Sequence, residues 1–361
     1  MEPWKLGLTL HNNYYSYKEL LEYSGERIVS SDTHPWEKEI FRFIITWLSN
    51  SDHIIQYSSG TTGRPKEIKL SKMAMIKSAL NTCSFFNLHK GDSALLCMPT
   101  DYIAGKMMIV RSMAGGLNLF ITEPRSVPEI RVSEKIDFCA MVPLQVTNLM
   151  LCSTDLSPVK KLLIGGAEIS RELEKRLQET DTLAFASYGM AETCSHVAIR
   201  KLNGSGQHPD YIALPDISLS ADERSCLLIH ASYLPAPVIS NDMVSFTGNN
   251  RFRWIGRFDN LINSGGIKIV PEEVEALVME KESIECVAMG IPDKKLGNKL
   301  VIVVEDTSTT TDSADTLKTR FAGILPRRWK PKEVISVPHF PRNDALKIDR
   351  RKLAEIILNC Y

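Results

Sequence analysis

Residues 161–187 read KLLIGGAEISRELEKRLQETDTLAFAS. An apolar run ends in the turn signal Gly165-Gly166, and Ser170 then opens a stretch of helical period, ISRELEKRLQET, with a side chain suited to capping its first turn. The apolar run TLAFAS follows. This order of short apolar run, turn, amphipathic helix and second apolar run is the rhythm of a βαβ unit, and it predicts neighbouring strands of a largely parallel sheet.

The same rhythm extends toward the N-terminus. DFCAMV, LNLFIT, SALLCMP and HIIQYSS predict further strands, and SKMAMIKSALNTCSFF predicts a helix capped by Ser71. Toward the C-terminus the pattern changes. After about residue 215, CLLIHASYL, VISNDMVSF and FRWIG are strand-like pieces separated by turn signals, which predicts a β-rich subregion. Beyond Asp259 come a hairpin-like segment, a helix opened by Pro271 (PEEVEALVMEKE), strands IECVAMGI and KLVIVVE, the polar stretch DTSTTTDSAD, a helix and a last strand. The expectation is an α/β protein: a large layered α/β domain over residues 1–258 with a β-rich subregion, and a small α+β domain over 259–361. A chain of 361 residues is long for one ordinary core, which agrees with two domains.

With 43 Lys+Arg against 43 Asp+Glu, no global field draws in nucleic acid or an anionic membrane, so an anionic ligand needs a local site. The opening MEPWKLGLTLHNNYY has no basic stretch followed by an apolar one, and no apolar run approaches membrane-spanning length. A cytoplasmic protein is expected. The eight cysteines never form C-x-x-C, which fits reduced core thiols rather than disulfides or zinc.

Chemistry enters at Ser58-Ser59-Gly60-Thr61-Thr62-Gly63-Arg64-Pro65-Lys66, after one predicted strand and shortly before a helix. Two glycines admit close backbone approach, successive N–H groups can form an anion-binding concavity, hydroxyls add donors and Lys66 adds charge, a set suited to polyphosphate. It is not a Walker A loop, whose spacing fails at Pro65 and Glu67. By composition alone a surface turn fits equally well.

The string itself closely resembles the signature loop of the adenylate-forming superfamily, which includes acyl-CoA synthetases, luciferases and peptide-synthetase adenylation domains. Further strings follow in that family's order. Tyr188-Gly189-Met190-Ala191-Glu192-Thr193 is similar to its Y-G-x-[TA]-E-T motif. The resemblance implies that Tyr188 flanks adenine beside Gly189, that Thr193 contacts the α-phosphate and that Glu192 helps hold Mg2+, which commonly takes one or two protein carboxylates alongside phosphates. Alone, Glu192 reads as a solvated carboxylate at a helix start. Ser240-Asn241-Asp242 stands where the family carries T-G-D, with only the aspartate kept, implying that Asp242 binds the ribose hydroxyls; alone, it reads as a turn residue.

The run Gly256-Arg257-Phe258-Asp259-Asn260-Leu261-Ile262-Asn263-Ser264-Gly265-Gly266-Ile267-Lys268-Ile269 resembles the family's interdomain signature. By that resemblance Arg257 contacts the nucleotide, Asp259 is the hinge, and Ser264, Gly265 and Gly266 line a coenzyme A tunnel. A Gly-Gly hairpin turn explains the glycines but not the whole string. Pro341-Arg342-Asn343-Asp344-Ala345-Leu346-Lys347-Ile348-Asp349-Arg350 resembles P-R-x-x-x-G-K-[IV]-x-R, making Lys347 the catalytic lysine, an ammonium that stabilises charge as pyrophosphate leaves. Leu346 replaces the usual glycine, and Leu enters positive φ only at a cost.

The resemblance implies an ATP- and Mg2+-dependent acid–thiol ligase with coenzyme A as co-substrate and a small carboxylic acid as partner, with neither nucleic acid nor membrane involved. Only 57 residues precede Ser58, fewer than in most relatives. The strings MVPLQ, LLIGGAEIS and SYGMAETCSHVAIR are similar to the o-succinylbenzoate–CoA ligases of menaquinone biosynthesis. Candidate acyl-pocket residues are Lys106, Arg111, Gln145, Gly165, Gly166, Ser187 and His196, of which Lys106, Arg111 or His196 could receive a second substrate carboxylate. Singly, Lys106 and Arg111 also read as snorkelling helix residues, and Gly165-Gly166 as a strand-to-helix turn. Two alternatives stay open: an adenylating enzyme with a carrier-protein or amine acceptor, and a non-catalytic nucleotide-binding relative, suggested by Leu346 and the eroded T-G-D.

Overall fold

The computed structural model describes residues 2–57, 66–131, 135–306, 312–342 and 348–359. Its centre is a sheet of 13 strands. Six of them, Leu8–Leu10, Asn118–Ile121, Ser93–Leu96, Phe138–Met141, Lys161–Ile164 and Leu183–Gly189, lie side by side in that order and run parallel. Side chains alternate between the two faces, as the pleat requires. Ala94, Leu96, Phe138 and Ala140 enter one core with Phe41, Trp47, Met75 and Met107, whereas Leu95, Cys97, Cys139 and Met141 enter another with Val146, Leu149 and Leu173. The two helices capped by serine form as expected: Ser71 accepts from Ala74 N ahead of Lys72–Phe85, and Ser170 accepts from Leu173 N ahead of Arg171–Leu177.

Past Leu183–Gly189 the sheet becomes antiparallel through His196–Lys201, Tyr211–Ala213, Arg251–Arg257, Val238–Gly248, Cys226–Ala231 and Ile217–Ala221, the expected β-rich subregion. Asp242 is therefore inside a long strand and not in a turn.

A second sheet of five strands follows, centred on Gly297–Glu305, with Cys286–Asp293, Ile262–Ser264 and Glu333–Val337 as its direct neighbours and Ile267–Ile269 beyond Ile262–Ser264. Ser264 pairs with Ile267 across Gly265-Gly266, whose φ values of 59° and 81° suit a two-residue hairpin turn that other residues enter at a cost. Helices Pro271–Glu282 and Ala314–Ile324 cover one face through Val274, Val278, Leu317 and Phe321; Leu353 and Ile357 of Arg350–Leu358 cover the other.

Three features depart from expectation. The strand His53–Tyr57 does not join the parallel sheet but forms a two-stranded hairpin with Glu67–Ser71, because the chain returns antiparallel to it within ten residues. Helices Tyr17–Val29 and Pro35–Leu48 precede it. A final helix, Arg350–Leu358, follows the last strand, its Asp349 cap accepting from Arg351 N and Lys352 N. No helix among the described residues is long and apolar enough to cross a membrane.

Candidate active site

Carboxyl ends of parallel strands are where open α/β sheets bind ligands, and the nominated residues gather there. Gly165 and Gly166 follow Lys161–Ile164, Gln145 lies in the first turn after Phe138–Met141, and Tyr188 and Gly189 close Leu183–Gly189. Ser58, Ser59, Gly60, Thr61, Thr62, Gly63 and Lys347 lie outside the described residues. Lys66 is exposed just ahead of Glu67–Ser71.

Tyr188, Asp242 and Arg257 come together from three strands. The Tyr188 phenol donates to Asp242 Oδ2 at 2.7 Å, Trp254 Nε1 donates to Asp242 Oδ1 at 3.3 Å, and the Arg257 guanidinium lies 3.9 Å from Asp242 Oδ1. Arg257 also reaches Asp259 Oδ2 at 3.3 Å, and Asn241 Nδ2 donates to the same oxygen at 3.0 Å. Burial, then the Asp242 carboxylate, pushes the Tyr188 phenol well above its usual range, so it stays a donor. Trp254 was not singled out in the sequence; its only signal is its place two residues before Gly256.

Glu192 and Thr193 form a single 3-10 turn, Ala191–Thr193. Thr193 is fully buried and its hydroxyl is engaged by Met190 O at 2.9 Å and Ser195 O at 2.6 Å. Glu192 is half-buried, and no hydrogen bond or ion pair engages it among the described residues. One such open carboxylate fits Mg2+, a hard cation that would complete its shell with phosphate and water oxygens and neutralise polyphosphate charge.

The acyl-pocket candidates separate. Gln145 is taken up by backbone: its Nε2 donates to Cys97 O at 2.8 Å and Arg125 O at 2.9 Å, and its Oε1 accepts from Val142 N. Ser187 Oγ donates to Ile164 O at 3.2 Å. His196 is buried, with Nε2 3.2 Å from Thr82 Oγ1 and Nδ1 3.1 Å from Ser195 Oγ; burial, then the charge of Arg111, pushes it down to about 3. It is neutral near pH 7.

Arg111 is no snorkelling residue. It is 2 % exposed, its NH1 points to Met108 Sδ at 3.1 Å, its guanidinium lies 5.3 Å from the centre of the Phe138 ring, and Nε is buried without a partner. No carboxylate pairs with it among the described residues, and burial pulls it down to about 10. Lys106, also an acyl-pocket candidate, donates to Gln56 Oε1 at 2.6 Å.

Comparison with known proteins places the chain in a family. The AMP-binding enzyme family matches residues 27–216. The acyl-CoA synthetase (AMP-forming)/AMP-acid ligase II-like protein of Dyadobacter fermentans is 33 % identical, with a TM-score of 0.60 over 91 % of this chain and 96 % of that one. The 2-succinylbenzoate–CoA ligase of Listeria monocytogenes is 27 % identical over 86 % of this chain and 71 % of its own length. The o-succinylbenzoate coenzyme A synthetase of Bacillus subtilis, solved with ATP and magnesium, shares the fold at 17 % identity and a TM-score of 0.72, over 98 % of this chain and 97 % of that one. The chain belongs to the AMP-binding enzyme family, the adenylate-forming ligases.

Proposed function

We propose that this AMP-forming ligase activates o-succinylbenzoate and transfers it to coenzyme A, serving menaquinone biosynthesis. The observation that carries the reading is Arg111, a buried guanidinium with no acid beside it among the described residues. An unpaired buried charge is costly, and a ligand carboxylate relieves that cost. An acid with two carboxylates, one for Arg111 and one for reaction, meets the need. The curated relative above carries the matching name.

In the first step a carboxylate oxygen attacks the α-phosphorus of ATP, forming acyl-AMP as the bond to pyrophosphate breaks. In the second, the coenzyme A thiolate attacks the acyl carbon, forming the thioester and releasing AMP. The segment 58–66 with Lys66 holds the phosphates, Tyr188, Gly189, Asp242 and Arg257 hold the nucleoside, Glu192 serves the metal, the buried Thr193, nominated for the α-phosphate, instead fixes the turn that carries Glu192, and Lys347 stabilises the developing charge. Residues 259–361 turn about Asp259, so that Lys347 serves the first step and Ser264, Gly265 and Gly266 face coenzyme A in the second. Pyrophosphate release from ATP and Mg2+ across a panel of aromatic mono- and dicarboxylic acids, with and without coenzyme A, tests this. A dicarboxylate-selective signal ending in the coenzyme A thioester supports it; release with monoacids alone, or product formed only on a carrier protein or an amine, rejects it.

A further inference from the structure

Gln56 is 4 % exposed and sits two residues ahead of Ser58 in the strand His53–Tyr57. Its Nε2 donates to Tyr57 O at 2.9 Å and Asp101 O at 3.1 Å, and its Oε1 accepts from Lys106 Nζ at 2.6 Å. A primary amide has two N–H donors and one carbonyl, so every group of this side chain is engaged. The single amide thereby joins the strand leading into residues 58–66, the loop carrying Asp101, and the helix Ile103–Gly115. The ammonium of Lys106 also lies 5.9 Å from the centre of the Phe43 ring, and burial lowers its pKa.

Lys106 and Arg111 share that helix but not a face. Five residues at about 100° each place them roughly 140° apart around the axis. The hairpin His53–Tyr57/Glu67–Ser71 has two strands, and a lone two-stranded hairpin is marginal in water, so what springs from it is placed only as well as the hairpin is anchored. Ile54 and Leu70 anchor it through the core, and Gln56 supplies a polar anchor one residue from the end that leads into residues 58–66.

We infer that Gln56 and Lys106 are a positioning pair for the nucleotide: they register the strand His53–Tyr57 against the helix that bears Arg111, so that Lys106 serves ATP and not the acid. This rests on the reading of residues 58–66 as the nucleotide loop. Small displacements of a positioned group are expensive in binding and catalysis, and a charge-assisted hydrogen bond to a buried amide resists them.

The test is calorimetric binding of Mg·ATP to the full chain without acid, which is independent of which acid is used. Lys106→Met and Gln56→Leu should each weaken ATP about five- to tenfold, the scale of one net hydrogen bond, and the double variant should be no worse than the weaker single one. Lys106→Arg keeps a donor for Gln56 Oε1 and should bind within about twofold of the unaltered protein; it carries the test if the first variants fail to fold. The KM for the acid should stay put. Unchanged ATP affinity in folded Lys106→Met, or a shift confined to the KM for the acid, overturns the proposal. An unaltered protein that binds no ATP overturns the reading of the loop instead.

Discussion

Tyr188 and Asp242, 54 positions apart, are joined by a 2.7 Å hydrogen bond from phenol to carboxylate, so that the end of the last parallel strand holds an acid projected from the antiparallel half. Because the carboxylate is the shared acceptor for Tyr188 and Trp254, its loss is predicted to exceed that of either donor. Tyr188→Phe should cost about 1–2 kcal/mol of stability and raise the KM for ATP a few fold, and Asp242→Ala should raise it by an order of magnitude or more. Melting curves and pyrophosphate-release kinetics check this; an Asp242→Ala effect smaller than that of Tyr188→Phe on the ATP constant would contradict it.

Arg111→Met separates function from stability. Removing a buried, unpaired charge should leave the ligand-free protein as stable or up to a few kcal/mol more so. The KM for a dicarboxylic acid should rise at least about a hundredfold, the scale of a lost buried charge pair. Thermal melting beside steady-state kinetics reads both, and a large drop in melting temperature would show that the guanidinium is structural.

Gly189 allows close packing of Leu183–Gly189 on His196–Lys201. A Cβ at 189 would lie 2.4 Å from both His196 Cα and Ser195 O, and backbone atoms cannot swing aside. Gly189→Ala is predicted to cost about 2–4 kcal/mol, in line with overpacking against a rigid neighbour, and to impair ATP use by moving Tyr188. Chemical denaturation measures the first effect; a variant within 0.5 kcal/mol, on the order of an ordinary surface change, would argue against the close packing.

Two buried groups give opposite pH dependences. His196, held at about 3 by burial and by Arg111, binds fewer protons folded than unfolded, so its contribution is full above about 6.5 and is lost as pH falls toward 3. Glu275 is raised to about 7 by burial, despite one Arg350 guanidinium nitrogen that lies 2.7 Å from its Oε1 and 2.5 Å from its Oε2. Its contribution is full below about 4.5 and is lost as pH rises through 7. His196→Gln should flatten the acid side of a stability–pH profile and Glu275→Gln the slope between pH 4.5 and 7. Parallel shifts without a change of slope would mean that neither group titrates as described.

The local parts of this fold are written plainly in the chain. Ser71 and Ser170 cap the helices they announce, and the alternation in SALLCMP and DFCAMV matches the two cores. Glu67–Ser71 is short, and Ile68 and Leu70 alone are too brief an alternation to set it apart from the helix that follows. Pro35 at the start of an apolar helix and the i, i+4 pair Leu353 and Ile357 are sequence signs of the helices Pro35–Leu48 and Arg350–Leu358. In the site, Tyr188, Asp242 and Arg257 are legible as strings, whereas Gln56 reaching Asp101 and Lys106, 45 and 50 positions away, is a product of tertiary packing that no local pattern encodes.

The large sheet's last strand in the chain ends at Arg257 and the second sheet begins at Ile262, with one short 3-10 turn, Phe258–Asn260, between them. Even fully drawn out, those few residues reach less than about 20 Å. Under the proposed turning of residues 259–361, such a leash permits swivelling but not drifting, so anything they carry stays at millimolar-scale local abundance, on the order expected for short linkers. On that proposal the passage from the first step to the second is a search over angles that must break surface contacts such as Arg171–Glu280 at 2.9 Å and is indifferent to enzyme dilution.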